Sequence, residues 1–388
     1  MRLSIDKRDL NQHIQHLASI VPSKATNPIL TNYHIVANTE TNSIQITATD
    51  LNITVIVNFP ASISESGTIA VSARHFNEII ASMPDDVLQL WTNEDLLLIQ
   101  CGKIDFKLLC ADHSLYPLIP ATTLTNTIKL EAELFHRMIS KTSFAVSLDN
   151  NRPVLTGVCW KIYDNEQLMA ATDGRKVAEI KVRSSIMQQN PEAEKLEENI
   201  FNENQDSYLE KVIPVKTLDF MQKIYRSDVK ELQLLMEHNR LMLAYGEYVI
   251  YSQIIENKYP EYQKAFVHDL PNCLIIDKDR LRTAIRRVAL VAPDDNLRTR
   301  FEISSDQFEI NTSNRDTGDA KQFMDDYSYQ GSPTNISFNY KFMLAILDVV
   351  DTEKVKILLG SAKDPMMIYS EMNQENQELT FLLMPLRS

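Results

Sequence analysis

The sequence predicts an α+β protein of three repeated domains. Each is built from two units in which a strand leads into a helix and then about three more strands, with the helices on one face of antiparallel sheets. Three observations support this. The 388 residues divide into thirds of about 129, an ordinary domain size. A short alternating strand followed by an amphipathic helix recurs along the chain. The phrase Ala48-Thr49-Asp50-Leu51 returns as Ala171-Thr172-Asp173-Gly174, 123 residues further on.

In the first third, Leu3-Ser4-Ile5 alternates as a strand and leads into a helix over 6–21, where Leu10, Ile14, Leu17 and Val21 fall at i, i+4, i+7 and i+11. Ile69-Ala70-Val71 opens the second unit. Its helix over 72–83 aligns Phe76, Ile79, Ile80 and Met83, and strands follow at 87–90, 96–101 and 104–109. The middle third repeats the layout with a strand at 127–130, a helix over 131–145 bearing Leu134, Met138 and Thr142, a strand at 212–215 and a helix over 215–226. In the last third Cys273-Leu274-Ile275-Ile276 precedes a helix over 278–290 with Leu281, Ile285 and Val288 in line. Ile336-Ser337-Phe338 then precedes a helix over 339–350, and the repeated phrase is worn to Asn311-Thr312-Ser313-Asn314.

Pro117, Pro120 and the polar run 122–127 mark one joint, and residues 258–271 the other. The expected domains are 1–125, 126–261 and 262–388. Inside the middle one, residues 186–210 hold Glu192, Glu194, Glu197, Glu198, Glu203, Asp206 and Glu210 against Lys195 alone. This reads as an exposed, partly disordered acidic insertion, for which a surface loop without function is the simpler account.

Composition removes several classes. Eight glycines, about 2% against a usual share of roughly 7%, leave no room for several Gly-rich phosphate loops. Cys101, Cys110, Cys159 and Cys273 form no CxxC pair, so a reduced, cytoplasmic setting is expected. No leader-like apolar region opens the chain, and no apolar run nears the roughly 18 residues of a membrane span. The net charge of −13 argues at first against nucleic acid. The six helices, however, hold fourteen basic residues against eight acidic ones. A basic helical layer on an acidic body suits phosphate-backbone binding without base readout.

Catalytic signatures are missing: no HExxH, GxSxG or GxxxxGK[ST] occurs. His13 and His16 share a helix at i, i+3 but lack further ligands, so a solvated face is expected rather than a metal site. Asp50 and Asp173 recur in the same phrase, which favours a turn over a catalytic carboxylate. No catalytic residue, metal or cofactor is assigned, and the chain is not expected to be an enzyme.

Several phrases now combine: Asn27-Pro28-Ile29-Leu30-Thr31-Asn32, Thr47-Ala48-Thr49-Asp50-Leu51, Arg152-Pro153-Val154-Leu155-Thr156-Gly157, Ala171 to Ala178, Tyr259-Pro260-Glu261-Tyr262 and Leu383-Met384-Pro385-Leu386-Arg387. In their order and spacing the chain resembles the bacterial DNA polymerase III beta subunits, the sliding clamps, over nearly its whole length. The resemblance implies the DNA clamp fold, closed as a head-to-tail homodimeric ring around double-stranded DNA of any sequence. It implies as partners the polymerase III alpha subunit, the clamp loader, and other polymerases and mismatch-repair proteins through short linear motifs, with no membrane.

Carried over residue by residue, the resemblance places a partner-peptide pocket at Leu155, Thr172, Gly174, Arg175, Lys176, Val177, Pro260, Asn339, Phe342, Leu382, Met384, Pro385, Leu386 and Arg387. Such a pocket is an apolar groove with a cationic rim, fit for Leu and Phe anchors beside a Gln or acidic residue. The chain departs from better known members at Arg175, Lys264, Ala265, Asn296, Lys363 and Pro365. DNA-facing positions by the same mapping are Lys24, Arg74, Arg137, Lys141, Arg152, Lys216, Lys223, Arg280 and Arg282. The subunit interface would pair Phe106 and Leu108 with Leu290 and Val291. Two other classes compete: a non-ring DNA-binding regulatory protein, for which no recognition helix or basic arm is found, and a metal-dependent enzyme using Asp50 or Asp173.

Overall fold

The computed structural model of the chain describes residues 1–117, 127–163, 165–184, 209–237, 239–292, 297–371 and 376–386. The first third runs β1 (Arg2–Asp6), α1 (Lys7–Leu17), β2 (Asn32–Asn38), β3 (Ser43–Thr49), β4 (Ile53–Pro60) and β5 (Ser62–Glu65). Its second unit is β6 (Gly67–Ser72), α2 (Ala73–Ser82), β7 (Val87–Asn93), β8 (Leu96–Cys101) and β9 (Ile104–Ala111). The middle third runs β10 (Ile128–Glu131), α3 (Ala132–Thr142), β11 (Gly157–Ile162), β12 (Gln167–Thr172) and β13 (Lys176–Val182). β14 (Leu209–Pro214), α4 (Val215–Ile224), β15 (Glu231–Met236), β16 (Arg240–Tyr245) and β17 (Tyr248–Gln253) follow. The last third runs β18 (Asn272–Asp277), α5 (Lys278–Val288), β19 (Arg298–Ile303), β20 (Phe308–Asn314), β21 (Gly318–Met324) and β22 (Tyr327–Gln330). It closes with β23 (Thr334–Asn339), α6 (Tyr340–Val349), β24 (Lys354–Leu359), β25 (Met366–Ser370) and β26 (Gln377–Leu383).

Each helix starts where a strand ends, and at α1, α5 and α6 a polar side chain makes the switch. Asp6 accepts the Arg8 N–H at 2.7 Å, Asp277 that of Arg280 at 2.8 Å, and Asn339 those of Lys341 and Phe342. Several helices are shorter than their apolar stripes predict. α1 stops at Leu17 because Ile20 N–H turns back onto the Leu17 carbonyl, although Ile20 itself is fully buried. α3 and α5 tighten into 3-10 turns at Ser143–Ala145 and Ala289–Val291.

Within each third the two units exchange their leading strands. β1 pairs with β7 and β6 with β2; β10 with β15 and β14 with β11; β18 with β24 and β23 with β19. Sheets also run from one repeat into the next: β4 pairs antiparallel with β17, and β13 with β26. Two compact units result. One joins the first third to β10, α4 and β15–β17 in a thirteen-stranded sheet. The other joins β11–β14 and α3 from Phe135 onward to the last third, in a nine-stranded and a four-stranded sheet.

The core lies between sheet and helices. In the first third Ile44, Ile46, Leu97 and Ile99 face Leu10, Ile14, Phe76 and Ile80, all fully buried. In the last third Phe301 meets Phe308 and Phe338 edge-on at 5.1 and 4.5 Å. Each such side chain contributes roughly 1.5–3 kcal/mol by leaving water. The acidic insertion lies outside the described residues except for Leu209 and Glu210, which open β14. Pro120 and residues 122–126 of the first joint lie outside them too.

Candidate functional site

The second compact unit gathers the residues predicted for the peptide site. Between β12 and β13 the chain reverses in a turn that Asp173 organises: its Oδ1 accepts the N–H groups of Arg175 (2.8 Å) and Lys176 (2.9 Å). Gly174 takes φ +86°, where a side chain is strained. Thr172 Oγ1 accepts the Gly174 N–H and donates to the Lys176 carbonyl. Asp50 makes the same turn between β3 and β4, with Leu51 at φ +76° in the glycine's place. Both carboxylates therefore do the architectural work their repetition suggested.

Across this turn lies the segment after β26. Met384 N–H donates to the Arg175 carbonyl and Leu386 N–H to that of Ser337, each at 2.8 Å. Beneath are Leu155, Val177, Leu382, Tyr259, Tyr262 and Met367 in one apolar cluster, flanked by Phe266 and Leu270. The Tyr259 hydroxyl accepts the Thr172 N–H at 3.0 Å, and burial raises its pKa. Lys176 is buried, its Nζ 2.5 Å from Asp173 Oδ2 and 4.2 Å above the Phe342 ring, which sits in the first turn of α6 beyond its cap Asn339. Pro260, Gly174, Arg175 and Met384 are exposed, while Pro385 and Leu386 are half-buried. The predicted pocket residues thus share one neighbourhood; Arg387, like Asn296, lies outside the described residues.

Three participants escaped the sequence reading. Tyr259 and Tyr262 belong to a phrase that carried the resemblance, so a signal for them existed. Glu179 gave none. It is a buried acid in the apolar run of β13, accepting from the Tyr262 hydroxyl (2.6 Å) and Gln263 Nε2 (3.0 Å). Cys159 packs in the same cluster, and burial pushes its thiol up to about 12, so it is no nucleophile.

The basic residues predicted to face DNA divide into two groups. Lys24 and Arg152 are exposed, and Arg74 is exposed beside Glu78. Arg280 pairs with Asp326, and Arg282 with Asp279 and Asp348, on an exposed face. Such surface pairs are worth roughly 0–1 kcal/mol and yield readily to a phosphate. Lys141 departs from expectation. It is 7% exposed, with Nζ on the Val349 carbonyl and the Asp351 carboxylate, which Arg137 also reaches at 2.5 Å. Burial disfavours the Asp351 charge, but these hydrogen bonds outweigh it and hold the carboxyl below its ordinary range. Lys223 donates to the Gln15 carbonyl at the end of α1, and Lys216 to the Ile20 carbonyl and Asp50. These three lysines tie elements together. Arg152 stands beside the pocket: a Cβ placed on Gly174 would lie 3.9 Å from its Nη1.

His13 and His16 are not a solvated face. Both Nδ1 atoms meet the Tyr248 hydroxyl, at 2.7 and 2.8 Å, and His13 is 7% exposed. Among the described residues no cluster suited to a metal occurs. Among the described residues, the predicted interface residues lie on or beside strands that keep an open edge. β9 pairs with β8 along its length and with β6 only at Cys110 and Ala111, leaving the edge of Ile104–Leu109 open, with Phe106 exposed and Leu108 half-buried. Among the described residues β21 pairs with β20 alone, and beside it Leu290 is 84% exposed and Val291 half-buried.

Three repeats of paired strand–helix units, with antiparallel sheets passing between repeats and basic residues on the helices, define the class of DNA clamps. The chain matches the family described as DNA polymerase III beta subunit in all three of its parts, the N-terminal domain over residues 1–120, the central domain over 129–261 and the C-terminal domain over 264–387. The chain belongs to that family and is a DNA sliding clamp, a processivity factor. A beta sliding clamp of Staphylococcus aureus is 28% identical over 394 residues, with 98% of each chain covered. A DNA polymerase sliding clamp from Bacillus subtilis superposes with a TM-score of 0.86 at 25% identity, over 100% of this chain and 99% of that one. A Pseudomonas aeruginosa clamp bound to griselimycin gives 0.86 at 21% identity, over 100% of both chains. No helix among the described residues is long and apolar enough to cross a membrane.

Proposed function

We propose that two copies of this chain, each of domains 1–125, 126–261 and 262–388, close head to tail into a ring that encircles duplex DNA in the cytoplasm. Exposed Lys24, Arg74 and Arg280, with half-buried Arg282, hold the backbone loosely, so the ring slides. The polymerase III alpha subunit, the clamp loader, and other polymerases and mismatch-repair proteins dock short motifs over Leu155, Val177, Leu382 and Met384, beside the cationic Arg152 and Arg175. Tethering raises a polymerase's effective concentration at the primer end, with no catalytic step of the clamp's own. The observation that supports the ring is that β9 and β21 keep open edges among the described residues, while their counterparts β17 and β26, and β4 and β13, pair from one repeat to the next.

Sedimentation should give a dimer of twice 44.5 kDa. Loaded clamp should stay on circular DNA and run off linearised DNA; equal retention on both would favour the non-ring regulator. Deleting Met384 to Ser388 should weaken a labelled peptide bearing Gln and Leu-Phe anchors while the dimer persists. Unchanged peptide affinity in that truncation would remove the pocket assignment.

A further inference from the structure

The joints inside the chain specify how the two free edges should meet. In each, the third strand after the helix of a first unit lies against the third strand after the helix of a second unit: β4 on β17, and β13 on β26. The third strands left over are β21, from a first unit, and β9, from a second.

Positions transfer between repeats because the ladders correspond rung by rung. Asn32 opposite Ser72, Gly157 opposite Pro214 and Arg298 opposite Asn339 are equivalent pairs, each ending just before a helix. Two residues along, the rungs are His34–Thr47–Ile56, Cys159–Ala170–Glu179 and Arg300–Asn311–Lys321. Thr54, Val177 and Asp319 are therefore equivalent. On the other strands Val87, Glu231 and Lys354 correspond, each facing the last residue of a leading strand. Four residues along, the rungs are Trp91–Leu98–Lys107, Leu235–Met242–Tyr251 and Leu358–Met367–Leu382. Lys107, Tyr251 and Leu382 are therefore equivalent. Thr54 faces Tyr251 and Val177 faces Leu382 in the joints the chain makes.

We infer that β9 of one copy pairs antiparallel with β21 of a second copy in the register that sets Lys107 opposite Asp319 and Asp105 opposite Lys321. This rests on the ring proposed above and names the strand pairing that closes it. The charges agree with a register derived without them: each rung joins opposite signs. All four side chains are exposed, and none has an ion-pair partner among the described residues. The pleat agrees as well. Ile104, Phe106 and Leu108 lie opposite Cys101, Ile99 and Leu97, which are buried, and so face the core side. Ala320, Gln322 and Met324 lie opposite Thr312, Ile310 and Phe308, also buried. The inferred register sets Phe106 opposite Ala320 and Leu108 opposite Gly318 on that side and leaves the charges outside. A slip of one residue would set a core-side residue of one strand opposite an outward charge of the other, which a continuous pleat does not allow. A slip of two would set Lys107 opposite Lys321, or Asp105 opposite Asp319, and like charges across a ladder repel.

The test uses the full chain. Lys107→Asp places two acids on one rung of both interfaces and should raise the dimer dissociation constant about tenfold or more at low salt, the loss shrinking as salt screens it. Adding Asp319→Lys to the same chain should restore dimerisation. Circular dichroism should be unchanged throughout, since the positions are exposed. Lys107→Cys with Asp319→Cys should cross-link on oxidation beyond the level given by the native cysteines, whereas Lys107→Cys with Lys321→Cys should not. A dimeric wild type in which the exchange fails to rescue, or in which the 107/321 pair cross-links instead, overturns the register alone. A wild type that stays monomeric at micromolar concentration overturns the ring and the register together.

Discussion

Lys141 and Arg74 carry the same charge on helices of the same design, and the structure sets them in opposite surroundings. Arg74 is exposed, so Arg74→Ala should leave urea stability within about 0.5 kcal/mol while weakening DNA binding. Lys141 is buried on the partly covered Asp351 carboxylate, so Lys141→Met should cost about 2 kcal/mol in the same measurement. Amphipathic spacing identified the face of α3, but it could not show that a carboxylate from residue 351 would cover that face. His13 and His16 were misread for the same reason, because their shared partner, Tyr248, is more than 200 residues away. One hydroxyl has one proton, so it donates to one imidazole and accepts from the other. Burial leads the causes that lower both histidine pKa values from 6.5; Asp9 and Glu247 oppose it weakly, and Lys223 and Arg226 reinforce it. A depressed folded-state pKa means stability that is complete above about 6.5 and falls as pH drops below it. The melting temperature should therefore fall between pH 7.5 and 5.5, and fall less in a His13→Gln/His16→Gln variant. An identical slope in both would remove the pair from the account.

At the scale of elements, leading strands and helices were legible because each carries its own period, alternation in the strand and i, i+4 in the helix. Their ends were less so, since caps and 3-10 turns rather than apolar stripes decide where a helix stops. The exchange of leading strands was invisible: periodicity shows that a strand exists and says nothing of its neighbour. The resemblance supplied the residues of the proposed pocket, and Glu179 was missed because nothing in the sequence of β13 distinguishes an acid turned inward. That acid holds the segment Tyr259–Phe266 against β13 through Tyr262 and Gln263. Glu179→Leu should weaken labelled-peptide binding about tenfold and speed amide exchange over 262–266, while Glu179→Gln, which still accepts from Tyr262, should change either much less. α5 offers a separate handle. Replacing Arg280, Arg282 and Arg286 together by Ala should lower the slope of log affinity against log salt on duplex DNA by about 0.9 for each phosphate that is no longer neutralised.

For the whole molecule, the net charge of −13 is a sum of unlike regions. Basic residues gather on the helices of an otherwise acidic chain, so in the proposed ring a duplex would be held loosely by the helices and repelled elsewhere. Ring closure belongs to this scale as well: if cross-strand charges set its register, raising salt should weaken the dimer as well as DNA binding.

The exchanged leading strands also govern the order in which the chain can form. β1 finds its partner β7 only when residues 87–93 exist, β10 waits for residues 231–236, and β18 for residues 354–359. No single unit can complete its sheet while the rest of its third is still being synthesised, and each third closes a loop of more than seventy residues to do so. Such long-range pairing is slow and leaves strand edges open meanwhile. The outer edge of β4 waits some 190 residues for β17, and that of β13 some 200 for β26. The device that locks each repeat once made is thus also what exposes the nascent chain to aggregation and makes its folding dependent on distant sequence.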